Sequence, residues 1–215
     1  MAFVPMPRIG FSVYLVTDRE HTRGRALEDI LTEACDAGIR AVQVRERDLD
    51  GRALLSLTER VVAIVHDRGG RVLVNDRIDV ALAAGADGVH LRANSLPVAV
   101  ARKLIGADRL LGVSTHTIDE AAKAEGDGAD FVLLGPVYDT PSKREFGAPL
   151  GLGAIAEAAR RVRIPVFAIG GVTVERALDV MRGGAAGVAV IGAILSAPDV
   201  SRAARALLDA TSLRL

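Results

Sequence analysis

Eight short apolar runs alternate with helical intervals along this 215-residue chain, and the alternation predicts a (β/α)8 barrel, an α/β TIM-barrel fold. The apolar runs have the length of strands that are buried on both faces. No Gly-x-Gly-x-x-Gly turn follows the first run, which weighs against the alternative, an open doubly wound sheet. Because no linker or low-complexity break interrupts the alternation, residues 1–215 are expected to form a single barrel domain.

The predicted strands fall into two groups. In one group, an alanine-rich helical end and a glycine precede the apolar run, and the glycine suits the left-handed position that closes a helix. This group comprises AGIRAVQVRE from Ala37, AGADGVHLRA from Ala84, DGADFVLLGP from Asp127 and GGAAGVAVIG from Gly183. The remaining runs are SVYLVT from Ser12, RVLVND from Arg71, LLGVST from Leu110 and PVFAIGG from Pro165.

The intervals between the runs have helical periodicity, since their apolar residues recur three and four positions apart. Helices are predicted in GRALEDILTEACDA from Gly24, DGRALLSLTERVVAIVHD from Asp50, RIDVALAA from Arg77, LPVAVARKLI from Leu96, TIDEAAKAEGD from Thr117, LGAIAEAARRV from Leu152 and TVERALDVMRG from Thr173. Thr117 and Thr173 stand where a helix needs an acceptor for its first amides, so both are predicted to be N-caps.

Composition limits the classes of function. The chain has 27 lysines and arginines against 27 aspartates and glutamates, so no overall field attracts nucleic acid or an anionic membrane. Anionic ligands must therefore be bound locally. The single cysteine, Cys35, excludes an internal disulfide and is expected to be a buried apolar residue. No uncharged stretch is long enough to cross a bilayer, so a soluble, cytoplasmic protein is expected, and a homo-oligomer stays open.

The carboxyl ends of the predicted strands are polar, and in barrels these ends carry the chemistry. The second strand ends in Gln43, Arg45 and Arg47, which alternate and therefore share one side. An inward guanidinium needs a counter-charge, because an unpaired buried cation is very costly. For Arg45 this is either an anionic ligand or a carboxylate of Asp18, Glu46 or Asp76.

Two further segments suit phosphate groups. After the sixth run, a loop bent by glycine and proline carries Thr140, Ser142 and Lys143, a set of hydroxyls and cations. After the seventh and eighth runs, Gly170-Gly171 and Gly192-Ala193 form small-residue turns with open backbone amides. The loops after strands seven and eight are a common phosphate site of barrels.

Three residues near the strand ends each allow two interpretations. Asp76 could hold Mg²⁺ through one carboxylate oxygen, or it could cap the helix of RIDVALAA. His116 could act as a general acid or base, or it could be a polar residue in the first turn of its helix. His90 could be catalytic, but it follows an apolar run and is expected instead to be packed and hydrogen-bonded.

The chain resembles the thiamine phosphate synthase family, which includes a close relative, the thiazole tautomerase. The matching segments are YLVTDRE at 14–20, VQVRERDLD at 42–50, LVNDRIDVALAAGADGVHL at 73–91, LGVSTHTIDEAAKAEGDGADFVLLGPVYDTPSK at 111–143 and VFAIGGV at 166–172. The resemblance implies a (β/α)8 barrel enzyme that joins an aminopyrimidine methyl diphosphate to a thiazole phosphate and releases pyrophosphate. Small phosphorylated molecules, rather than macromolecules, would be its partners.

The resemblance also implies roles for individual residues. Gln43 and Ser114 would contact the pyrimidine. The diphosphate would meet Arg45, Asn75 and Lys143, and Asp76 would hold Mg²⁺. The thiazole phosphate would meet a set of hydroxyls and amides, namely Thr140, Ser142, Gly171, Ile191 and Gly192.

The chain departs from the family pattern at several positions, which keeps two alternatives open. Arg47 replaces the usual lysine, Gly192 replaces a serine, and Arg92 and Ser95 lie where Gly-Gln and a second metal-binding aspartate are usual. A thiazole tautomerase, with His116 as the proton shuttle, is the first alternative to a synthase. A non-catalytic barrel that binds phosphorylated ligands is the second.

Overall fold

A computed structural model describes residues 9–140 and 148–212. Its eight strands form one closed parallel barrel in which each strand pairs with the next along the chain and β8 pairs with β1. The strands are β1 Val13–Val16, β2 Ala41–Val44, β3 Arg71–Asn75, β4 Gly88–Leu91, β5 Leu110–Thr115, β6 Phe131–Leu134, β7 Val166–Ile169 and β8 Gly187–Val190. The predicted barrel is confirmed, because an open doubly wound sheet would have two edge strands that are paired on one side only, whereas here β8 pairs with β1.

Helices follow the strands on the outside of the barrel. They are α1 Leu27–Asp36, α2 Gly51–His66, α3 Ile78–Ala83, α4 Val98–Ile105, α5 Ile118–Gly126, α6 Gly151–Arg161, α7 Val174–Arg182, α8 Gly192–Leu195 and α9 Val200–Ser212. The first seven correspond to the predicted intervals. The sequence interpretation did not include α8 and α9. No described helix is long and apolar enough to cross a membrane.

The helix ends mostly follow their predicted chemistry. Thr117 caps α5 by accepting a hydrogen bond from the N–H of Glu120 at 3.1 Å. Thr173 occupies the N-cap position of α7 but makes no side-chain capping bond. In each copy of the repeated unit one glycine before the strand has a positive φ: 116° at Gly38, 67° at Gly85, 100° at Gly128 and 94° at Gly184. Only glycine adopts this region at no steric cost, so these residues end the helices sharply.

Alternate strand residues divide the core into two layers. Outward residues such as Val42, Val74 and Val132 pack against the helices, and buried Cys35 of α1 joins this layer. Inward residues fill the barrel, where the rings of Tyr14, Phe131 and Phe167 pack together; the ring centroids of Tyr14 and Phe131 lie 5.5 Å apart.

Interior glycines make room for these rings. A Cβ at Gly112 would lie 2.5 Å from Cζ of Phe131 and 2.4 Å from Nδ1 of His90, and a Cβ at Gly187 would lie 2.5 Å from Cε1 of Phe167. Large and small residues therefore alternate inside the barrel and fill its centre.

Candidate active site

Most of the predicted site residues lie at one end of the barrel. Because all eight strands run in the same direction, their carboxyl ends open at a single mouth. The residues at or beyond these ends are Arg45, Arg47, Asn75, Asp76, Ser114, His116, Thr140, Gly171, Ile191 and Gly192. Gln43 lies two residues before Arg45, within β2. Ser142 and Lys143 lie outside the described residues.

Arg45 is held at the mouth by the neighbouring strand end. The pairing of Val16 with Gln43 brings Asp18 beside Arg45, and the Arg45 Nη1 lies 3.6 Å from the Asp18 Oδ2. Its backbone N–H donates to Oγ1 of Thr17 at 2.9 Å. Burial, together with the positive charge of Arg47, lowers the pKa of Arg45. Asp18 is thus the partner among the three predicted carboxylates, and the guanidinium is only 20% exposed.

Gln43 lies deeper in the barrel than Arg45, and Arg47 lies nearer the solvent. The buried Gln43 side chain donates from Nε2 to the hydroxyl of Tyr14 at 3.3 Å. Burial raises the pKa of Tyr14, so its hydroxyl stays protonated. Arg47 is exposed at the rim. The alternation predicted for the second strand is therefore present, with exposure increasing from Gln43 to Arg47.

Ser114 is oriented by a buried histidine. The Nε2 of His90 lies 3.0 Å from the Ser114 Oγ, and its Nδ1 has no hydrogen-bond partner among the described residues. Burial lowers the pKa of His90 to about 3, so the ring is neutral. The proton belongs on Nε2, because an unpaired buried acceptor costs less than an unpaired buried donor. His90 then donates to Ser114, and the Ser114 hydroxyl keeps its own proton for a ligand.

His116 lies at the mouth, after β5. The carbonyl of Gly135 accepts a hydrogen bond from its Nδ1 at 2.6 Å, which fixes the tautomer and leaves Nε2 as the basic nitrogen. Its backbone N–H donates to the Glu120 carboxylate at 2.6 Å. The residue is exposed, and among residues 9–140 and 148–212 its ring is hydrogen-bonded only through Nδ1, which is compatible with proton transfer at Nε2.

Asp76 is engaged by Arg92, from the end of β4. The backbone N–H of Arg92 donates to the Asp76 Oδ1 at 3.0 Å, and the Arg92 Nε donates to Oδ2. Asp76 does not cap α3, whose N-cap residue is Arg77 and has no side-chain capping bond. The predicted capping role of Asp76 is therefore wrong, because the carboxylate turns toward β4 instead of toward the helix.

The arrangement at Asp76 does not fit a magnesium ion held by the protein. Magnesium is repelled by an adjacent cation, and the Arg92 guanidinium donates directly to the Asp76 carboxylate, whose other oxygen accepts the backbone N–H of Arg92. Ser95, at the position of a second family carboxylate, has no carboxyl group. Across residues 9–140 and 148–212, no group of three or more His, Cys, Asp or Glu residues is placed to hold a metal.

The turn after β7 contacts the loop after β6. Gly170 and Gly171 have φ values of 95° and 66°, and a Cβ at Gly171 would lie 2.8 Å from the Cβ of Tyr138. The backbone N–H of Tyr138 donates to the Gly170 carbonyl at 3.0 Å. The loop that carries Thr140 therefore starts directly beside the glycine turn. Arg176 donates to the Gly171 carbonyl at 2.8 Å and lies 4.6 Å from the centroid of the Tyr138 ring.

The turn after β8 leads into a short helix. Ile191 is the N-cap residue of α8, and Gly192 is its first residue. The N–H groups of Ile194 and Leu195 donate to the Ile191 carbonyl, whereas those of Gly192 and Ala193 donate to no described residue and are available at the strand end. The predicted small-residue turn is thus the start of a helical turn.

A groove of about 530 Å³ lies outside the barrel, between the first turns of α1 and α2. Its arginines are already paired: Arg19 with Glu46 and Asp48, Arg25 with Glu33, and Arg60 with Glu28. None of the predicted site residues lines this groove, whereas those of them that the structure describes lie at the mouth. We therefore assign the candidate site to the mouth.

Sequence reasoning missed the polar contacts that support the site. The Tyr14 hydroxyl under Gln43 and the bond from His90 to Ser114 both lie inside the barrel. The alternation of inward residues along β1 and β4 was the available signal, since it places Tyr14 and His90 on the same side as the site residues.

Comparisons with known proteins agree with this arrangement. The family described as thiamine monophosphate synthase matches residues 13–194. A thiamine-phosphate synthase of Roseiflexus castenholzii is 44% identical over 211 residues, which cover 98% of this chain and 92% of the relative. One from Methanoculleus marisnigri is 44% identical over 201 residues, with 94% and 95% covered. The solved thiamine phosphate pyrophosphorylase of Pyrococcus furiosus superposes with a TM-score of 0.85 at 32% identity, over 94% of this chain and 95% of that one.

Proposed function

The chain belongs to the thiamine monophosphate synthase family, and from this premise we propose that it acts as a thiamine-phosphate synthase. The enzyme is a transferase that joins an aminopyrimidine methyl diphosphate to the nitrogen of a thiazole phosphate. The bond from the methylene carbon to the diphosphate oxygen breaks, a bond from that carbon to the thiazole nitrogen forms, and pyrophosphate leaves.

One observation carries the proposal: two sets of groups of the kind that bind anions lie at the mouth of a barrel whose formal net charge is zero. One is cationic, with Arg45 and Arg47 after β2 and Arg92 after β4. The other consists of backbone groups at Gly170-Gly171 and at the start of α8. The reaction has two phosphorylated substrates, so it requires two such sites.

The cationic side would stabilise the leaving diphosphate. Negative charge grows on the diphosphate as its bond to the carbon breaks, and guanidinium groups fixed in advance lower the energy of that state. Arg45 is pre-positioned because Asp18 and Thr17 hold its two ends. Asn75, the last residue of β3, would donate to the same oxygens from the neighbouring strand.

The pyrimidine would lie deeper, above the aromatic interior. The Gln43 amide is fixed by Tyr14, and the hydroxyl of Ser114 is fixed by His90, so both can form directed hydrogen bonds to ring nitrogens or to the amino group. Neutral groups suit this position, because a nearby cation would oppose positive charge on the pyrimidine carbon as the diphosphate leaves.

The thiazole phosphate would bind at the glycine turn. Gly171, the amides at Ile191 and Gly192, and Thr140 would surround it and direct the thiazole nitrogen at the methylene carbon. Ser142 and Lys143 remain predictions for the same loop.

A tautomerase is the second candidate, and the orientation of His116 favours it. With Nδ1 bound to the Gly135 carbonyl, Nε2 is free to accept and return a proton. This activity would isomerise a thiazole carboxylate phosphate and would need neither Arg45 nor Gln43.

The test is turnover of purified protein with the pyrimidine diphosphate and thiazole phosphate, followed as thiamine phosphate. We expect product, and we expect Arg45→Gln to lower kcat/KM by about a hundredfold, since a charge-assisted contact contributes about 1.5–3 kcal/mol and acts here on developing charge. Arg182→Gln, at the opposite end of the barrel, is the matched control.

Isomerisation without condensation, abolished by His116→Asn, would instead establish the tautomerase. Binding of both ligands with neither activity would leave the non-catalytic barrel.

The remaining expectations form part of the same proposal. Mg²⁺ stays a prediction from the resemblance, and no step described above uses it. A cytoplasmic location remains part of the proposal. The coverage of relatives along this chain supports one domain, and the neutral charge supports the absence of nucleic-acid and membrane partners.

A further inference from the structure

Asp76 is held rigidly in a backbone conformation that few residues adopt. Its φ is 59°, in the left-handed region, where a non-glycine residue is uncommon. Its N–H donates to the His90 carbonyl at 2.9 Å, so the last residues of β4 fix its position. Two residues beyond His90, the same chain segment supplies Arg92. The carboxylate and its arginine are therefore built as one unit.

Arg92 supplies hydrogen-bond donors to the Asp76 carboxylate, so the carboxylate does not depend on a ligand for them. Both oxygens of Asp76 accept hydrogen bonds from Arg92, one from the backbone and one from the guanidinium. The Asp76 side chain is 14% exposed, whereas that of Arg92 is 45% exposed. The cation therefore faces the mouth, and the carboxylate lies beneath it.

The Arg92 guanidinium retains donors for a ligand. Arginine has five N–H donors, and only Nε is used in contacts with described residues. The charge of Arg92 also reaches Arg45, where it adds to the repulsion from Arg47. Arg45 and Arg47 follow β2 and Arg92 follows β4, so all three lie at the mouth; among residues 9–140 and 148–212, Asp18 pairs with Arg45, Asp76 pairs with Arg92, and Glu46 also acts on Arg45. An anion with several charges would relieve the repulsion among these cations.

We propose that Arg92 is a built-in cation that occupies Asp76 and binds the diphosphate with its remaining amino groups, so that no divalent cation held by the protein is required there. The identity of the anion rests on the proposed function. The class of ligand, a diphosphate, follows from the pair of fixed guanidinium groups, Arg45 and Arg92, since arginine binds phosphate oxygens through paired donors.

The first test measures binding of inorganic pyrophosphate by calorimetry, once in EDTA and once in Mg²⁺. We expect the unmodified protein to bind pyrophosphate in EDTA and Arg92→Gln to weaken that binding by about tenfold to a hundredfold, as expected for a lost charge-assisted contact. Arg182→Gln, which removes an exposed arginine at the end of α7, should leave it unchanged. Binding that requires Mg²⁺, or that is unaffected by Arg92→Gln, would overturn the inference.

The second test asks whether Asp76 binds a divalent cation, with Mn²⁺ as a paramagnetic probe. The unmodified protein should show no Mn²⁺ site that Asp76→Asn removes. One Mn²⁺ per unmodified chain, lost on Asp76→Asn, would refute the proposal. Circular dichroism of each variant confirms that it is folded.

The two proposals can fail separately. If pyrophosphate binds in EDTA through Arg92 but no thiamine phosphate forms, the proposed function fails and the built-in cation stands. If thiamine phosphate forms but pyrophosphate does not bind without Mg²⁺, the proposed function stands and the built-in cation fails.

Discussion

The buried His90 predicts a measurable pH dependence of stability. Its side chain is 1% exposed and lies between the rings of Tyr14 and Phe131, each 5.8 Å away between centroids. In the folded protein its pKa is lowered to about 3 by burial, against an ordinary value of 6.5. Between these two pH values, the unfolded chain binds a proton that the folded chain does not bind. The stabilisation is therefore complete above pH 6.5 and is lost as the pH falls toward 3.

The size of the effect follows from the ordinary pKa alone, provided that the folded pKa stays well below 5. Lowering the pH from 7 to 5 should reduce the free energy of unfolding by about 2 kcal/mol through His90, because each pH unit below the unfolded pKa contributes about 1.4 kcal/mol. Carboxylates whose pKa is lowered in the folded protein, such as those of Glu28 and Asp79, also reduce the free energy of unfolding as the pH falls.

A comparison with His90→Gln separates these contributions. Glutamine does not titrate, and its amide N–H can replace the Nε2–H bond to Ser114. Urea unfolding of both proteins at pH 7 and pH 5 should show a pH-induced loss that is smaller in the variant by about 2 kcal/mol. Equal losses in the two proteins would refute the neutral, buried state of His90, and with it the proton assignment that orients Ser114.

Two substitutions test the local geometry around the site, both by urea unfolding. Gly171→Ala should destabilise the protein by about 1–3 kcal/mol, because its φ is left-handed and its new Cβ would lie 2.8 Å from the Tyr138 Cβ; it should also raise KM for the thiazole phosphate. Gly153→Ala is the control, since its Cβ would meet no atom within 4 Å and alanine should stabilise α6 by about 0.5–1 kcal/mol. Thr117→Ala should cost about 1 kcal/mol by removing the bond from the N–H of Glu120, and no loss would show that this cap is not stabilising.

The barrel was predictable from the sequence because the residues that flank the strands mark where they begin and end. Glycine closes the preceding helix, an apolar run follows, and polar residues mark the strand end, as in the segment from Gly128 to Gly135. The final helix, α9, was missed although Val200, Ala204 and Leu207 have helical spacing. It follows the last strand, where a (β/α)8 barrel requires its eighth helix, so the pattern and the spacing together were sufficient to predict it.

The site was predictable as a set of residue types but not as a set of contacts. The partner of Arg45 depends on the pairing of β1 with β2, which selects Asp18 among three carboxylates. The role of Asp76 depends on its left-handed backbone and on the end of β4, where Arg92 approaches it. Such contacts join segments that are distant in sequence, and local patterns do not encode them.

A crystal structure of the protein with thiamine phosphate and pyrophosphate tests the central claim most directly. We expect pyrophosphate to contact Arg45 and Arg92 and the phosphate of thiamine phosphate to lie at Gly171. Both anions would then share the mouth, on opposite sides of the pyrimidine. If the anions bind in the groove between α1 and α2 while the mouth stays empty, the assignment of the site is contradicted.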